Sequence, residues 1–211
     1  LSDSSKRIEG IMDRPVFFEQ LIKKTAHRFP DQIKPIFVKA DNYLAEYVKM
    51  EEGKPEEVIA HTIGIILPSI ATYRAIIEVT GDSDRAYRVV SLCYEDYFRE
   101  KAQKFRDACK LHISYPFVTT MAGDFIKKQF SEKAGFRLKN RSKGMKLCHI
   151  DVVGCPYYHY CKLLGCEELT TAFCDVDDIV FDHLHRGVSW DRTHTLGRGD
   201  DKCDFIISLD D

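Results

Sequence analysis

The sequence has no excess of charge of either sign and no long uninterrupted apolar run. Its 211 residues include 31 Lys and Arg against 33 Asp and Glu, for a formal net charge of −2. Because the chain has no strong overall field, we expect neither nucleic acid nor an anionic membrane as a partner. The most apolar segment, residues 58–77, is interrupted by His61, Pro68 and Arg74, so a membrane span is not expected either.

The chain also lacks the density of cysteines that a disulfide-rich scaffold has, with eight in 211 residues. Eight thiols are too few for a scaffold held together by disulfides, and the opening LSDSSKRIEG lacks an apolar core of signal-peptide length. We therefore predict free thiols and a cytoplasmic location. The first residue is not Met, which leaves trimming of a preceding segment open.

Residues 1–135 have mainly helical periodicity. Segments with apolar residues at i, i+3 and i+4 begin at Asp13, Val38, Pro55, Asp82 and Pro116. Asp82 or Ser83 is the expected cap of the fourth helix, and Pro68 is expected to kink or break the third. No repeat, low-complexity tract or linker divides the chain, so the sequence predicts one domain over 1–211.

Residues 136–211 form a cysteine-rich part in which the periodicity changes to two. Alternating segments at 145–154, 188–196 and 203–209 predict strands, and GRGDDK at 197–202 supplies turn residues. The predicted fold is therefore α+β, with a helical layer over a small antiparallel sheet. Eight basic residues between Lys127 and Lys146 are interpreted as a solvated helix end and loop.

Cys155 has the strongest local argument for chemistry. In HIDVVGCPYYHYCKLLG a predicted strand meets a predicted helix, with Cys155 at the N-cap and Pro156 at the first helical position. The positive end of the helix favours a thiolate, so a lowered pKa and a nucleophilic role are expected for Cys155. The alternative is a small buried side chain that packs under the turn.

Metal binding is the rival interpretation of the cysteines. The spacing of Cys155, Cys161, Cys166 and Cys174 matches no structural zinc or iron–sulfur pattern. Cys155 and His159 share a helix face, which leaves a dyad or half of a metal site open. We predict no metal or other cofactor, although a divalent ion is not excluded by the spacing.

Charged residues near the C-terminus suggest an ion-paired site. If 188–196 is a strand, Arg192 lies between apolar positions and needs a carboxylate partner, either a protein aspartate or a substrate. One of Asp175, Asp177 and Asp178 is expected to cap a helix beginning at DDIVFDHL. The other two can orient a base or hold a cation.

The C-terminal motifs resemble those of the L-2-amino-thiazoline-4-carboxylic acid hydrolase family. The resemblance covers about residues 148–207 and comprises GCPYYHYC, GCEEL, FCDVDD, RTHTLGRG and CDF. It implies hydrolytic opening of a C–N/C–S ring in a cyclic amidine carboxylate, giving a carbamoylated cysteine on the way to cysteine. A small-molecule carboxylate is thus the expected partner, and a homo-oligomer stays open.

The resemblance also implies a set of site residues. Cys155 would attack, Asp175 or His149 would handle the proton, and Arg192 would anchor the substrate carboxylate. The motifs further place substrate-binding roles on Tyr158, Thr193, Thr195 and Cys203. The competing hypothesis is a non-catalytic sensory domain that binds a small molecule or a metal in the same region.

Overall fold

The computed structural model describes residues 15–111 and 116–210. The helix start predicted at Asp13 lies outside the described residues. By its internal contacts the chain divides into two compact units, Leu1–Val90 and Ser91–Asp211. The first is helical, and the second carries the sheet, which confirms the predicted α+β class. A single domain over the whole chain stays a prediction.

The first unit is built from amphipathic helices around an apolar core. Its elements are α1 (Val16–Arg28), α2 (Ile33–Val48), a 3-10 turn (Lys49–Glu51), α3 (Glu56–His61), α4 (Leu67–Thr80) and the start of α5 (Ser83–Leu111). Phe18, Leu21, Ile36 and Ile70 are fully buried. The prediction began α2 at Val38, which is wrong, because Pro35 fits in a first helical turn where no N–H partner is needed.

The irregularity expected before Pro68 is present as a π-helical turn. Residues Thr62–Ile66 form this turn between α3 and α4, and Pro68 lies in the first turn of α4. A proline there cannot donate to the carbonyl of Gly64, and the wider turn accommodates that loss. Over Glu56–Thr80 the chain is apolar and long enough to cross a bilayer, but 67% of its most apolar window is buried, as in a core helix.

The helix cap predicted at Asp82 or Ser83 is formed by Asp82. Its Oδ1 accepts a hydrogen bond of 2.8 Å from the backbone N–H of Arg85. This bond satisfies one of the N–H groups that have no partner within the helix. Gly81 precedes it with φ 72°, the left-handed conformation that ends α4 and that glycine adopts without strain.

The second unit packs helices on one face of a four-stranded antiparallel sheet. The helices are the remainder of α5, α6 (Pro116–Gln129), α7 (Pro156–Leu163) and α8 (Thr170–Phe181), with 3-10 turns at Glu132–Ala134, Glu167–Leu169 and Leu196–Arg198. The strands are β1 (Arg137–Lys143), β2 (Leu147–Gly154), β3 (Val188–Asp191) and β4 (Cys203–Leu209), in the order β1-β2-β4-β3.

Two predictions about the sheet are wrong. The basic segment expected to be a loop contains β1, which pairs with β2 as an edge strand; charged side chains are common on exposed edges. The strand predicted over 188–196 ends at Asp191, so Arg192 and His194 belong to the loop that follows. A third prediction, that one of Asp175, Asp177 and Asp178 caps a helix, is also wrong, because all three lie inside α8, which begins at Thr170.

The register of β2 and β4 separates two faces of the sheet. Val152 pairs with Cys203, and the neighbouring pair is Asp151 with Asp204. Because side chains alternate along a strand, Cys203 points to the face with the buried apolar residues, while Asp151 and Asp204 point to the other face. Phe181 of α8 stacks on Trp190 at 4.8 Å between ring centroids, so α8 covers the apolar face.

Candidate active site

Cys155 lies at the junction predicted from the sequence. Strand β2 ends at Gly154, Cys155 is extended with φ −133° and ψ 124°, and Pro156 opens α7. Cys155 is therefore the N-cap residue, as predicted. Its side chain is half-buried, whereas the other seven cysteines are buried and all eight are free thiols. Cys155 is thus the one cysteine among the eight that is not buried.

The lowered pKa expected for Cys155 is wrong. Burial raises the pKa of its thiol to about 12, although hydrogen bonding from the backbone of Tyr158 and, to a smaller extent, Tyr157 acts in the opposite direction. The side chain makes no regular capping hydrogen bond, so the helix end compensates only in part for the loss of solvent. At neutral pH Cys155 is a thiol, and its attack on a substrate requires a base.

Cys155 belongs to a thiol cluster, which we define as Cys155, Cys174 and Cys203. The three come from the β2–α7 junction, from α8 and from the start of β4. The charges of Cys155 and Cys203 would raise the pKa of Cys174, and the charge of Cys203 would also raise that of Cys155. Burial raises the pKa of Cys203 to about 11, while a hydrogen bond of 3.3 Å from the Leu196 N–H lowers it in part. The fold thus gathers sulfurs that are up to 48 residues apart in the sequence (155 to 203).

Asp177 faces this cluster. It lies three residues after Cys174 on α8, a spacing that places both side chains on one helix face. Burial raises the pKa of Asp177 to about 7, against the lowering effect of the Arg192 charge. Its own charge raises the pKa of Cys155, so the carboxylate and the thiol interact electrostatically.

Arg192 is held by protein aspartates, the first of the two kinds of partner predicted for it. Its Nη1 lies 3.2 Å from Asp177 Oδ2 and its Nη2 lies 2.7 Å from Asp178 Oδ2. Nη1 also donates to the Cys174 carbonyl at 2.8 Å, and Asp178 accepts from Trp190 Nε1 at 2.9 Å. A substrate carboxylate would have to displace Asp178, which is 49% exposed, to reach this guanidinium.

Three aromatic side chains lie beside the thiol cluster. They are Tyr94 of α5, Tyr157 of α7 and Phe173 of α8. The ring centroid of Phe173 lies 5.1 Å from those of Tyr94 and Tyr157, which are 6.2 Å from each other. Burial raises the pKa of both tyrosines, and the charges of Asp177 and Cys155 add to that effect. Both are neutral phenols at physiological pH, beside the thiol and the carboxylate.

Other predicted site residues also make contacts outside the thiol cluster. Asp175 makes a half-exposed ion pair with Arg198 at 2.8 Å. Tyr158 is partly exposed on α7, with Lys162 Nζ 5.7 Å from its ring centroid. Thr195 is buried, and its N–H donates to Asp200 Oδ2 at 2.7 Å.

His149 and Thr193 belong to the opposite face of the sheet. His149 Nε2 lies 3.1 Å from Asp151 Oδ1, which also accepts from Lys202 Nζ at 3.1 Å. Thr193 Oγ1 donates to Asp204 Oδ2 at 2.6 Å. Because Asp151 and Asp204 point away from the face that carries Cys203, the structure does not bring these two predicted residues together with Cys155.

Metal ligation finds no support in side-chain placement. Within 15–111 and 116–210, no three or more His, Cys, Asp or Glu side chains are arranged to hold a metal ion. His159, the predicted partner of Cys155 on a shared helix face, is exposed, with its ring 5.4 Å from that of Tyr160.

Asp177 is the site residue that sequence reasoning assigned no catalytic role. Two signals pointed to it: the spacing of three from Cys174, and its position as the first Asp of the DD pair in FCDVDD. The motif alone did not show which of three clustered aspartates is the least exposed. That depends on the pairing of Asp175 with Arg198 and of Asp177 with Arg192.

Fold and site together define an α+β protein with a half-buried cysteine at a strand-to-helix junction beside a partly buried carboxylate. The chain belongs to the L-2-amino-thiazoline-4-carboxylic acid hydrolase family, whose model matches residues 60–207. The family predicted from the motifs is thereby confirmed, over more of the chain than the motifs cover. No curated protein and no solved structure gives a match.

Proposed function

We propose that this protein is a hydrolase that opens the ring of a 2-amino-thiazoline carboxylate or a closely related cyclic amidine, with Cys155 as its nucleophile. Family membership supports hydrolysis in general. The single observation that carries the cysteine role is the position of Cys155, half-buried at the N-cap of α7, where the charge of Asp177 raises the pKa of its thiol. Cysteine is the strongest nucleophile among protein side chains near neutral pH.

The proposed reaction has two displacements. The Cys155 sulfur bonds to the amidine carbon, its proton passes to a base, and the bond from that carbon to the ring sulfur breaks as the ring sulfur takes a proton. Water then adds to the same carbon and the bond to Cys155 breaks. The net change is addition of one water, which yields a carbamoylated amino thiol and restores the Cys155 thiol.

The start of α7 supports the first displacement. The backbone N–H groups of Tyr157 and Tyr158 stabilise negative charge on the sulfur, and the helix dipole acts in the same sense. Burial acts against a free thiolate. Proton removal must therefore accompany formation of the carbon–sulfur bond.

A turnover experiment tests the nucleophile. Wild type, Cys155→Ser and Cys155→Ala are incubated with a panel of 2-amino-thiazoline and cyclic amidine carboxylates, and product is followed by mass spectrometry. Cys109→Ala is the matched control, since Cys109 is a buried thiol of α5 whose pKa is raised by burial alone. We expect loss of turnover by about 1,000-fold or more in both Cys155 variants and little change in the control.

Acid quenching during turnover gives a second readout. A mass increase on the peptide that contains Cys155, absent from Cys155→Ser, is expected for the covalent intermediate. Full turnover by Cys155→Ala would refute the cysteine mechanism and favour attack by water. Tight binding of the same carboxylates with no turnover by wild type would favour the sensory-domain alternative.

A further inference from the structure

We propose that Asp177 is the catalytic base that accepts the Cys155 proton and returns it to the departing ring sulfur, and that Arg192 is the residue that positions it. This inference rests on the proposed function, since it assigns the proton transfer which that reaction requires. It replaces the roles that the motifs suggested for Asp175, as proton carrier, and for Arg192, as carboxylate anchor.

The position of Asp177 is fixed from two sides. Helix α8 presents Cys174 and Asp177 on one face, toward the thiol cluster. Arg192 holds Asp177 through Oδ2 and is itself anchored by Asp178 and the Cys174 carbonyl. Within the described residues, Oδ1 of Asp177 accepts no hydrogen bond, so one carboxylate oxygen stays available for a proton.

Charged and titratable groups from several elements interact with Asp177. The Arg192 charge favours its ionised form, whereas Asp178 and Asp175 oppose it. The groups whose pKa the Asp177 charge raises are Cys155, Tyr157, Cys174, Cys203 and Tyr94. These five are neutral at pH 7, so Arg192 is the cation that sets the ionisation of Asp177.

The two pKa values suit a concerted transfer. Burial raises the pKa of Asp177 to about 7, near the value at which a base is most effective at neutral pH. Burial raises the pKa of Cys155 to about 12, so its proton leaves only as the sulfur bonds to carbon. Protonated Asp177 is then the acid that the leaving ring sulfur needs.

Among the described groups that interact with Cys155, Asp177 is the one suited to accept its proton. Among the described residues whose charges couple to that thiol, Asp177 alone has a pKa near neutrality; the remaining partners are tyrosines and cysteines with raised pKa values. His149 faces the other side of the sheet with Asp151, and Asp175 points to Arg198.

The first arm of the test is turnover of the substrate panel as a function of pH. Asp177→Asn is expected to lower kcat about 100-fold or more and to abolish the fall in kcat/KM below about pH 7. Asp177→Glu retains a carboxylate and should recover part of the rate. Asp182→Asn is the control, since Asp182 is exposed and lies just after the end of α8.

Arg192→Lys tests the positioning role. The guanidinium of Arg192 favours the ionised form of Asp177. Its loss should therefore raise the pH below which kcat/KM falls. A variant that only weakened the fold would lower the rate without moving this midpoint. An unchanged midpoint would overturn the role given to Arg192.

The second arm needs no substrate. Alkylation of Cys155 is followed by peptide mass spectrometry from pH 7 to pH 11. The Asp177 carboxylate raises the pKa of Cys155, so Asp177→Asn should alkylate Cys155 several-fold faster than wild type at the same pH, although its turnover is lost. If Asp177 had only a structural role, Asp177→Asn would not lose turnover and at the same time gain alkylation rate at Cys155.

The outcomes separate this inference from the proposed function. Loss of turnover in Cys155→Ser with near-normal turnover in Asp177→Asn would overturn the inference and leave the hydrolase intact. Full turnover in Cys155→Ser would overturn the proposed nucleophile. If no compound of the panel is turned over, the alkylation experiment decides. An alkylation rate of Cys155 in Asp177→Asn equal to that of wild type then overturns the coupling between the two side chains. A larger loss of rate in Asp175→Asn than in Asp177→Asn would also overturn it.

Discussion

Arg192 Nη1 lies 3.2 Å from Asp177 Oδ2 in the interior of the second unit, and the Arg192 side chain is only 2% exposed. A guanidinium this deeply buried is tolerated because two carboxylates and a backbone carbonyl surround it. The ion pair thus links the loop after β3 to helix α8, the same helix that carries Cys174. The stability of the second unit and the position of Asp177 therefore both depend on the Arg192 side chain.

Replacing Arg192 by Met is expected to destabilise the protein by about 3–5 kcal/mol, because two carboxylates lose their buried partner. Urea unfolding at pH 7 measures the change. Arg198→Met is the matched control, since Arg198 makes one ion pair with the half-exposed Asp175 and should cost less than about 1 kcal/mol. Equal losses in the two variants would contradict a structural role for the buried pair.

Alkylation of wild-type Cys155 is expected to be slow at neutral pH and to accelerate up to the highest pH at which the fold persists. The reason is that burial raises the pKa of this thiol to about 12, so the thiolate is scarce at pH 7. Peptide mass spectrometry after timed alkylation provides the rate for each cysteine. A midpoint below pH 8.5 would show that the end of α7 outweighs burial.

The Asp204 carboxylate should make stability depend on pH. Burial alone would raise the pKa of Asp204, but hydrogen bonds from Thr193 and His194 outweigh burial and hold it well below the usual value. A lowered folded-state pKa contributes stability that is present above the unfolded pKa of about 4 and is lost as pH falls below it. Asp204→Asn should therefore cost about 1.5–3 kcal/mol at pH 7 and less near pH 3, where the unfolded chain takes up a proton that folded Asp204 does not.

Urea unfolding of wild type and Asp204→Asn at several pH values measures this dependence. The exposed Asp182, which pairs with His183, supplies a control variant, Asp182→Asn, with little expected effect at any pH. A penalty for Asp204→Asn that stays constant from pH 7 to pH 3 would be inconsistent with the ionised carboxylate as its source.

Local chemistry explains which elements the sequence predicted. Asp82 before a long amphipathic run, Gly81 at the end of the preceding helix, and Pro156 after Cys155 each act within one turn of the chain. The same holds for β4, whose apolar run at 203–209 matches the observed strand. Such signals need no knowledge of the tertiary structure.

Elements that depend on distant partners were not predictable in this way. The basic strand β1 is extended because β2 offers it an edge, and the alternating residues after Asp191 leave the sheet because β4 pairs only as far as that residue. The ionisation of Cys155 also depends on its burial in the folded protein. The sequence alone predicted the helix N-terminus at Cys155, but it did not predict that the thiol loses its contact with solvent.

Gly197 lies where the turn after Leu196 meets helix α8, and a side chain there should disturb the thiol cluster. A Cβ built at Gly197 would lie 2.9 Å from Thr170 Cγ2 and 3.1 Å from Cys174 Sγ, closer than normal contacts allow. We expect Gly197→Ala to cost about 1–3 kcal/mol in urea unfolding and to alter the alkylation rate of Cys155, because α8 must shift. Gly64→Ala is the control: no atom lies within 4 Å of a Cβ there, and alanine in a helical segment should be neutral or stabilising by up to about 1 kcal/mol. Equal stability of both variants would show that α8 and the turn move apart freely, and that the close approach at Gly197 does not fix the position of Cys174.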